Sequence, residues 1–407
     1  MDITASQIES IVRSVISSMG STSARSAGPI PKTARVAMLT GPKKIEVQEL
    51  PIPELGDDDI LVRVEGAGIC GTDVHEWKMD PFGLIPVILG HEGTGEVVSL
   101  GKNVKCDTAG KPLKVGDKIV TSVTNCGECY TCRMTPGRTN LCDNQGVFGL
   151  IGDKRGQAEG NRVNGWFADY MVIKGGYGVT YFEVNDLDLK QRMILELACV
   201  CVHALERGQK TGLLNFGSKV LVQGCGPVGL VMITVLRAAG INHIIAVDGN
   251  EDRLRVAEKM GAKTTVCFKR PDEDTLEKRV SKVQAVANGV GVDFAYQCTG
   301  APIAAADIYS YIRRGGGMCE MGFFVNNGEY QINPHVAMCN KEIDIVGSWD
   351  YSAEDYPKTI AFLKQCREMN IPIEDLITHS FPLDKMNEAM ETNVAQKGIK
   401  ICYINDN

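Results

Sequence analysis

The stretch Val220-Leu221-Val222-Gln223-Gly224-Cys225-Gly226-Pro227-Val228-Gly229 decides the fold. An aliphatic run, a glycine turn and an apolar pattern of helical period from Pro227 to Ala239 make the opening of a βαβ unit. Gly224 permits the tight turn, Gly226 lets a ligand approach the backbone, and Gly229 lets helix and strand pack closely. The next strand-like run, Ile244-Ile245-Ala246-Val247, ends at Asp248, 24 residues after Gly224. A helix N-terminus offers unpaired N–H groups and the positive end of its dipole to an anion. A carboxylate at the end of the second strand accepts hydrogen bonds from ribose hydroxyls and repels a 2′-phosphate. The pattern predicts a dinucleotide site of Gly224, Gly226, Pro227, Val228, Gly229 and Asp248, with Arg253 in the following helix, and NAD preferred to NADP. The competing reading is a structural turn that binds nothing.

Outward from this motif, strands and helices alternate from about Leu195 to Val346. Asp252 to Met260 is a second helix, and Val292–Tyr296 and Gly317–Met321 are later strands, which predicts an α/β, doubly wound parallel sheet over 195–346. Before it, from Ala34 to about Asp188, short β-like runs sit between Gly and Pro turns: 35–39, 44–47, 60–64, 95–98, 118–120 and 169–173. This second, mainly β domain is expected over 34–194, rejoined by 347–407. Two domains also suit 407 residues.

The net charge of −7 excludes a counterion-displacing nucleic-acid surface. No apolar run is long enough to span a membrane, and residues 1–30 lack the apolar core of a secretory signal. Fifteen cysteines, an odd number, do not make a disulfide framework. Cys199, Cys201, Cys298 and Cys339, in apolar runs, read as small buried hydrophobes of a reducing cytoplasm.

Two cysteine-bearing patterns carry the metal chemistry. The first is Gly68-Ile69-Cys70-Gly71-Thr72-Asp73-Val74-His75, followed by Gly90-His91-Glu92. Cys thiolate and His imidazole beside a carboxylate suit zinc, and a catalytic zinc keeps three protein ligands and one open position. The second is Cys126, Cys129, Cys132 and Cys142, four thiols in seventeen residues. These can wrap one tetrahedral zinc with a closed shell, which braces a lobe; an iron–sulfur cluster is the alternative.

Taken together, these motifs resemble the zinc-dependent medium-chain dehydrogenases, most closely the polyol branch with its sorbitol and threonine dehydrogenases. The likeness covers roughly residues 34–405. It extends to Gly165-Trp166-Phe167-Ala168-Asp169-Tyr170, to Glu196 with His203-Ala204, and to Gln297-Cys298-Thr299-Gly300. The resemblance implies a GroES-like β domain and a Rossmann domain with the active site in the cleft between them. It implies catalytic zinc on Cys70, His91 and either Glu196 or Glu92, and places Cys298 and Thr299 at the cofactor. It also implies that zinc lowers the pKa of a bound hydroxyl, that hydride passes to nicotinamide, and that Thr72 and then His75 relay the proton. Two departures stand out. The Cys132–Cys142 spacing is longer than is usual in the family, so the loop must bulge around Met134-Thr135-Pro136. The Glu196-Leu197-Ala198 context replaces the branch's Glu-Pro-Leu. Cys106 to Leu113 reads as a short insertion in a surface turn.

The function implied is NAD(H)-dependent interconversion of a small secondary alcohol, diol or polyol with its ketone or aldehyde. The alternatives are a microcompartment-associated aldehyde or ketone reductase, and a non-catalytic nucleotide-binding member of the family. Trp77, Phe82, Phe148, Trp349 and Asp350 are candidate pocket residues. His203 reads as structural, and His243, His335 and His379 receive no role. Lys397 and Lys400 read either as contacts to the cofactor phosphates or as solvated surface charge. The family implies a homo-oligomer, dimer or tetramer.

Residues 1–33 read as an appendage. Ile8, Ile11, Val12, Val15, Ile16 and Met19 share one helical face, Ser6-x-x-Glu9 forms a capping box, and Gly20 ends the helix. Ser21 to Thr33 reads as a flexible linker. The pair resembles the encapsulation peptides of bacterial microcompartment cargo, which makes a shell protein the partner of residues 1–20. The competing readings are packing on another subunit and a targeting presequence, the latter disfavoured by Asp2 and Glu9.

Overall fold

The computed structural model describes residues 25–26, 29–150 and 163–406. The helix expected over 2–19 lies outside them. Within the stretch read as a linker, Arg25–Ser26 (β1) pairs antiparallel with Leu100 and Ser99.

The α/β part is a six-stranded sheet in the order β12-β11-β10-β13-β14-β15, all parallel. Its strands are Lys219–Gln223 (β10), His243–Asp248 (β11), Thr264–Cys267 (β12), Val292–Gln297 (β13), Ile312–Glu320 (β14) and Asp344–Gly347 (β15). The strand order reverses between β10 and β13, and ligands of such sheets bind outside the strands' carboxyl ends at that switch point. β10 and β13 read Val-Leu-Val and Val-Asp-Phe-Ala-Tyr because both their faces are covered. One face packs with Leu230, Ile233 and Leu363 in a large core, and the other with Val283, Ile308 and Tyr311.

The β part is a three-stranded sheet of Lys44–Pro51 (β3), Thr33–Gly41 (β2) and Val87–Ile88 (β5), and an eight-stranded sheet with the path β16-β17-β4-β6-β7-β9, in which β9 is Tyr181–Glu183, joined by β1 and by Tyr170–Ile173 (β8). Its other strands are Ile60–Gly68 (β4), Glu92–Leu100 (β6), Lys118–Thr121 (β7), Ile377–Phe381 (β16) and Lys400–Ile404 (β17). β17, from the chain's end, lies antiparallel on β4, with Cys402 opposite Gly68. The 21-residue helix Leu189–Gln209 contributes Ile194, Leu195, Ala198 and Cys201 to the large core. The C-terminal part binds the β sheet through Tyr356, which stacks on Phe182 with ring centres 4.9 Å apart and donates its hydroxyl to the Thr121 carbonyl at 2.7 Å. His203 lies in the long helix and pairs with buried Asp355 at 2.9 Å, the structural role expected for it.

Cys106–Leu113 folds into a turn closed by the Cys106–Pro112 bridge. The turn is anchored by buried Asp107, which accepts from the backbone of Ala109, Lys111 and Glu183. None of the fifteen cysteines is in a disulfide. Cys199 and Cys201 are buried as expected, but Cys339 is exposed, because its apolar run forms a short surface helix, His335–Cys339. Among the described residues no helix is long and apolar enough to cross a membrane.

Candidate active site

The end of β4 and the start of β6 assemble the first candidate metal-ligand set. Gly68 lies opposite Glu92 in the antiparallel register, so Cys70 and His91 leave adjacent strands side by side. Cys70 caps the helix Gly71–Met79, and the Asp73 carboxylate accepts from the Cys70 N–H at 2.8 Å. The other Asp73 oxygen accepts from the Gly90 N–H at 3.2 Å and lies 3.3 Å from His91 Nδ1. Asp73 is fully buried and touches both sides of the ligand set. Sequence reading passed it over, although its place three residues after Cys70 is a capping-box position.

One donor atom each from Cys70, His91 and Glu92 lies within 4.8 Å of the other two. Glu196, on the long helix, is outside that trio but lines the same cavity. Burial, then the Glu92 charge, pushes the Glu196 carboxyl up to about 8. The site fits a cation: thiol, imidazole and carboxylate are the donors zinc takes. Glu92 Oε1 is buried without a hydrogen bond, while Glu92 Oε2 faces the Lys400 ammonium and His91 Nδ1 faces Asp73. Burial works against the charged form of His91, but Asp73 and Cys70 outweigh it and favour the imidazolium.

Lys400 departs from what its sequence context suggests. It is neither at cofactor phosphates nor solvated: its side chain is 2% exposed and its ammonium pairs with Glu92. It also donates to the Ile69 carbonyl at 3.1 Å. Burial opposes its charge, and Glu92 and Cys70 more than restore it, holding the ammonium above its ordinary pKa. A lysine inside the apolar strand Lys400–Ile404 was the available signal, since lysine is almost never fully buried unless paired. Lys397 is exposed. Gly68 makes room for the pair: a Cβ there would lie 2.0 Å from Glu92 Oε2 and 2.7 Å from Lys400 Cε.

The cavity, about 310 Å³, is lined by Cys70, Thr72, His75, His91 and both glutamates. Thr72 Oγ1 is 3.6 Å from Cys70 Sγ. His75 is partly buried, and that burial lowers its pKa. Of the five candidate pocket residues, Trp349 and Asp350 line the cavity. Trp77, Phe82 and Phe148 do not: Trp77 and Phe148 pack in the β-domain core and Phe82 is exposed on a turn. The wall includes Met321, Phe323, Phe324 and Asn327, which sequence reading missed because they follow β14 with no periodic signal. Burial raises the Asp350 carboxyl to about 6 against the pull of His91.

At the glycine turn, Gly224 has φ of 92°, a left-handed backbone that favours glycine. A Cβ on Gly229 would lie 1.7 Å from the Gly224 carbonyl oxygen, whereas one on Gly226 would meet nothing within 4 Å. Gly226 thus faces open space beside the N-terminus of the helix Pro227–Ala238, where a diphosphate fits. Asp248 ends β11 and accepts from the N–H groups of Cys225 at 2.7 Å and Asn250 at 2.8 Å. Arg253 is partly buried in the first turn of the next helix, Glu251–Met260. Val228 and Cys298 line the cavity, and Thr299 lies against Gly224.

The four-cysteine lobe forms a second ligand set, with Cys126, Cys129, Cys132 and Cys142 donors all within 4.8 Å of one another. Backbone N–H groups of Cys126, Cys129 and Asn144 donate to the sulfurs at 3.2–3.4 Å; backbone donors lower the Cys126 thiol to about 6, whereas burial pushes Cys142 up. The expected bulge is a break at Thr135 between the helical turn Tyr130–Met134 and the 3₁₀ turn Pro136–Leu141, with Met134 exposed.

The family model of the alcohol dehydrogenase GroES-like domain matches residues 56–183, and that of the zinc-binding dehydrogenase matches 227–365. Sorbitol dehydrogenase of Bacillus subtilis strain 168 is 30% identical over 368 residues, covering 89% of this chain and 94% of that protein. L-idonate 5-dehydrogenase of Vitis vinifera is 30% identical over 377 residues, 90% of this chain and 93% of its own. Among solved structures, an alcohol dehydrogenase from Thermotoga maritima superposes with a TM-score of 0.83 at 28% identity, covering 92% of this chain and all of that one. The chain belongs to the zinc-dependent medium-chain alcohol and polyol dehydrogenases, enzymes that use zinc and NAD(P).

Proposed function

We propose that this enzyme interconverts a small secondary alcohol, diol or polyol with its carbonyl compound, using NAD, at the Cys70–His91 site. The observation that carries the reading is the Cys70–His91–Glu92 donor cluster opening into the same cavity as Cys298 and Val228 of the dinucleotide turns. Held by Cys70, His91 and Glu92, zinc would supply Lewis-acid polarisation of the substrate oxygen, and NAD at the glycine turn would supply a hydride acceptor. Glu92 completes the donor trio, and Glu196 adds a second carboxylate to the cavity wall. The Thr72 hydroxyl accepts the substrate's hydroxyl proton in a hydrogen bond, and His75, kept neutral by burial, takes it toward solvent. Apolar Val123, Leu197, Val200 and Phe324 exclude water from the remaining wall. Asp248 at the end of β11 supports NAD over NADP, because a carboxylate at that position repels a 2′-phosphate.

The test is NAD reduction followed by absorbance across small diols, polyols, 3-hydroxy amino acids and simple alcohols, with and without a chelator. Zinc-dependent turnover of secondary alcohols is expected. Turnover that survives complete zinc removal sinks the reading.

The same reading includes a homo-oligomer. β15 is the edge of the parallel sheet, Ile345 on it is 43% exposed, and an open edge pairs readily with a second copy. Residues 1–20 are taken as a docking helix for a microcompartment shell in the cytoplasm, on the sequence pattern alone. A fluorescent protein carrying residues 1–33 then concentrates in cells making the matching shells, and diffuse signal refutes it.

A further inference from the structure

Asp350 stands in the wall of the cavity that holds Cys70, His91 and Glu196. Its φ is 51°, a left-handed backbone that aspartate tolerates and few other residues adopt. The position is braced on every side. Gln145 Nε2 donates to one Asp350 oxygen at 3.0 Å, and the Tyr351 N–H donates to the other at 3.0 Å. Just before it, the Trp349 carbonyl accepts from Asn140 Nδ2 at 2.7 Å, and the Trp349 ring stacks on Phe324 with centres 4.7 Å apart. Asn140 and Gln145 flank Cys142, so the four-cysteine lobe holds this part of the wall.

The carboxylate keeps acceptor capacity. Two hydrogen bonds use about half of its roughly four acceptor positions. Among the described residues that line the cavity, none is Lys or Arg, and four are acidic: Glu92, Glu196, Glu320 and Asp350. Glu92 is neutralised by Lys400, and Glu320 accepts from the Gly322 N–H at 2.9 Å. No lysine or arginine pairs with Asp350 among the described residues.

We propose that Asp350 is a specificity-determining residue, receiving a hydrogen-bond donor, hydroxyl or ammonium, carried by the substrate beside the carbon that is oxidised. This rests on the reading above that the Cys70–His91 site oxidises a small alcohol. A monohydric alcohol leaves the half-buried Asp350 acceptor unmatched, which costs affinity where a site is built for a donor. A substrate with a carboxylate, phosphate or sulfonate at that position meets like charge and is turned away.

The test uses the full-length zinc-loaded enzyme and three probes: 2-butanol, 2,3-butanediol and 1-amino-2-propanol. The variants are Asp350→Asn, which keeps shape and an acceptor but removes the charge, and Asp350→Gly, which removes the carboxylate and suits the left-handed backbone. The expected wild-type preference for the diol or the amino alcohol over 2-butanol is at least about tenfold in kcat/KM. Asp350→Asn is expected to cut the amino-alcohol preference about 10–100-fold, mostly through KM, because a charge-assisted hydrogen bond is lost. The diol preference is expected to fall only in Asp350→Gly. Equal zinc content in all three proteins separates lost recognition from lost metal. Preferences unchanged in both variants, or all three probes falling together, overturn the proposal while leaving the reaction reading intact. A wild type that oxidises none of the probes overturns the reaction reading and this proposal with it.

Discussion

The Lys400 ammonium pairs with the Glu92 carboxylate beneath the ligand set, with the two side chains 2% and 1% exposed. The last strand of the chain thereby supplies a charge to the first metal-ligand set. Removing one partner of a buried pair leaves an uncompensated charge, which costs about 3–5 kcal/mol. Lys400→Met is therefore expected to lower stability by about that amount in urea unfolding, and Gly68→Ala to lower it too, because its Cβ collides with the pair. A Lys400→Met protein as stable as wild type would show that the pair contributes nothing.

Asp73 binds both sides of the ligand set without joining it. Asp73→Asn keeps the volume but weakens the hold on the Cys70 and Gly90 N–H groups and on His91. Partners of ligands at this remove typically change metal affinity or activity about 10–100-fold. We expect a fall of that order in zinc affinity, read by competition with a chromogenic chelator, and a parallel fall in kcat. Unaltered zinc affinity would leave Asp73 only a helix-capping role.

Loss of the lobe metal is expected to reach the substrate. Cys142→Ser should lower bound zinc from about two to about one per chain, since structural zinc takes four ligands. The lobe's Asn140 and Gln145 hold Trp349 and Asp350, so KM should rise although no ligand of the other set is touched. Zinc analysis and initial-rate kinetics on the same preparation check both effects. Full zinc content in the variant would remove Cys142 from the ligand set.

Glu196 makes the metal-free protein sensitive to pH. Burial and Glu92 raise its carboxyl from 4.5 to about 8, so the folded chain holds a proton that the unfolded chain releases. A raised carboxyl pKa contributes stability that is complete below about 4.5 and is lost as pH rises toward about 8. The Tm of the chelator-treated enzyme should thus fall across that window, and Glu196→Gln should flatten the fall. Zinc affinity should rise over the same window, because ligands bind deprotonated. A metal-free Tm that climbs steadily through the window would contradict the assignment.

Much of the molecule was legible in local sequence, because its signals act over short distances. The glycine turn, Asp248 at the end of the second strand and the four closely spaced cysteines each report a backbone requirement or a chelate ring that neighbouring residues satisfy. The alternation of apolar residues reports strands for the same reason. Tertiary structure alone decided the rest. Only the antiparallel register of β17 on β4 carries Lys400 under Glu92, turning an apparent surface lysine into a buried counter-ion. Only the packing of the lobe against the segment after β15 places Asp350 in the cavity, and only the assembled β-domain core takes in Trp77 and Phe148. A side chain's type and near neighbours are written in the chain, but the charge it faces across a cavity comes from strands distant in sequence, and folding chooses that neighbour.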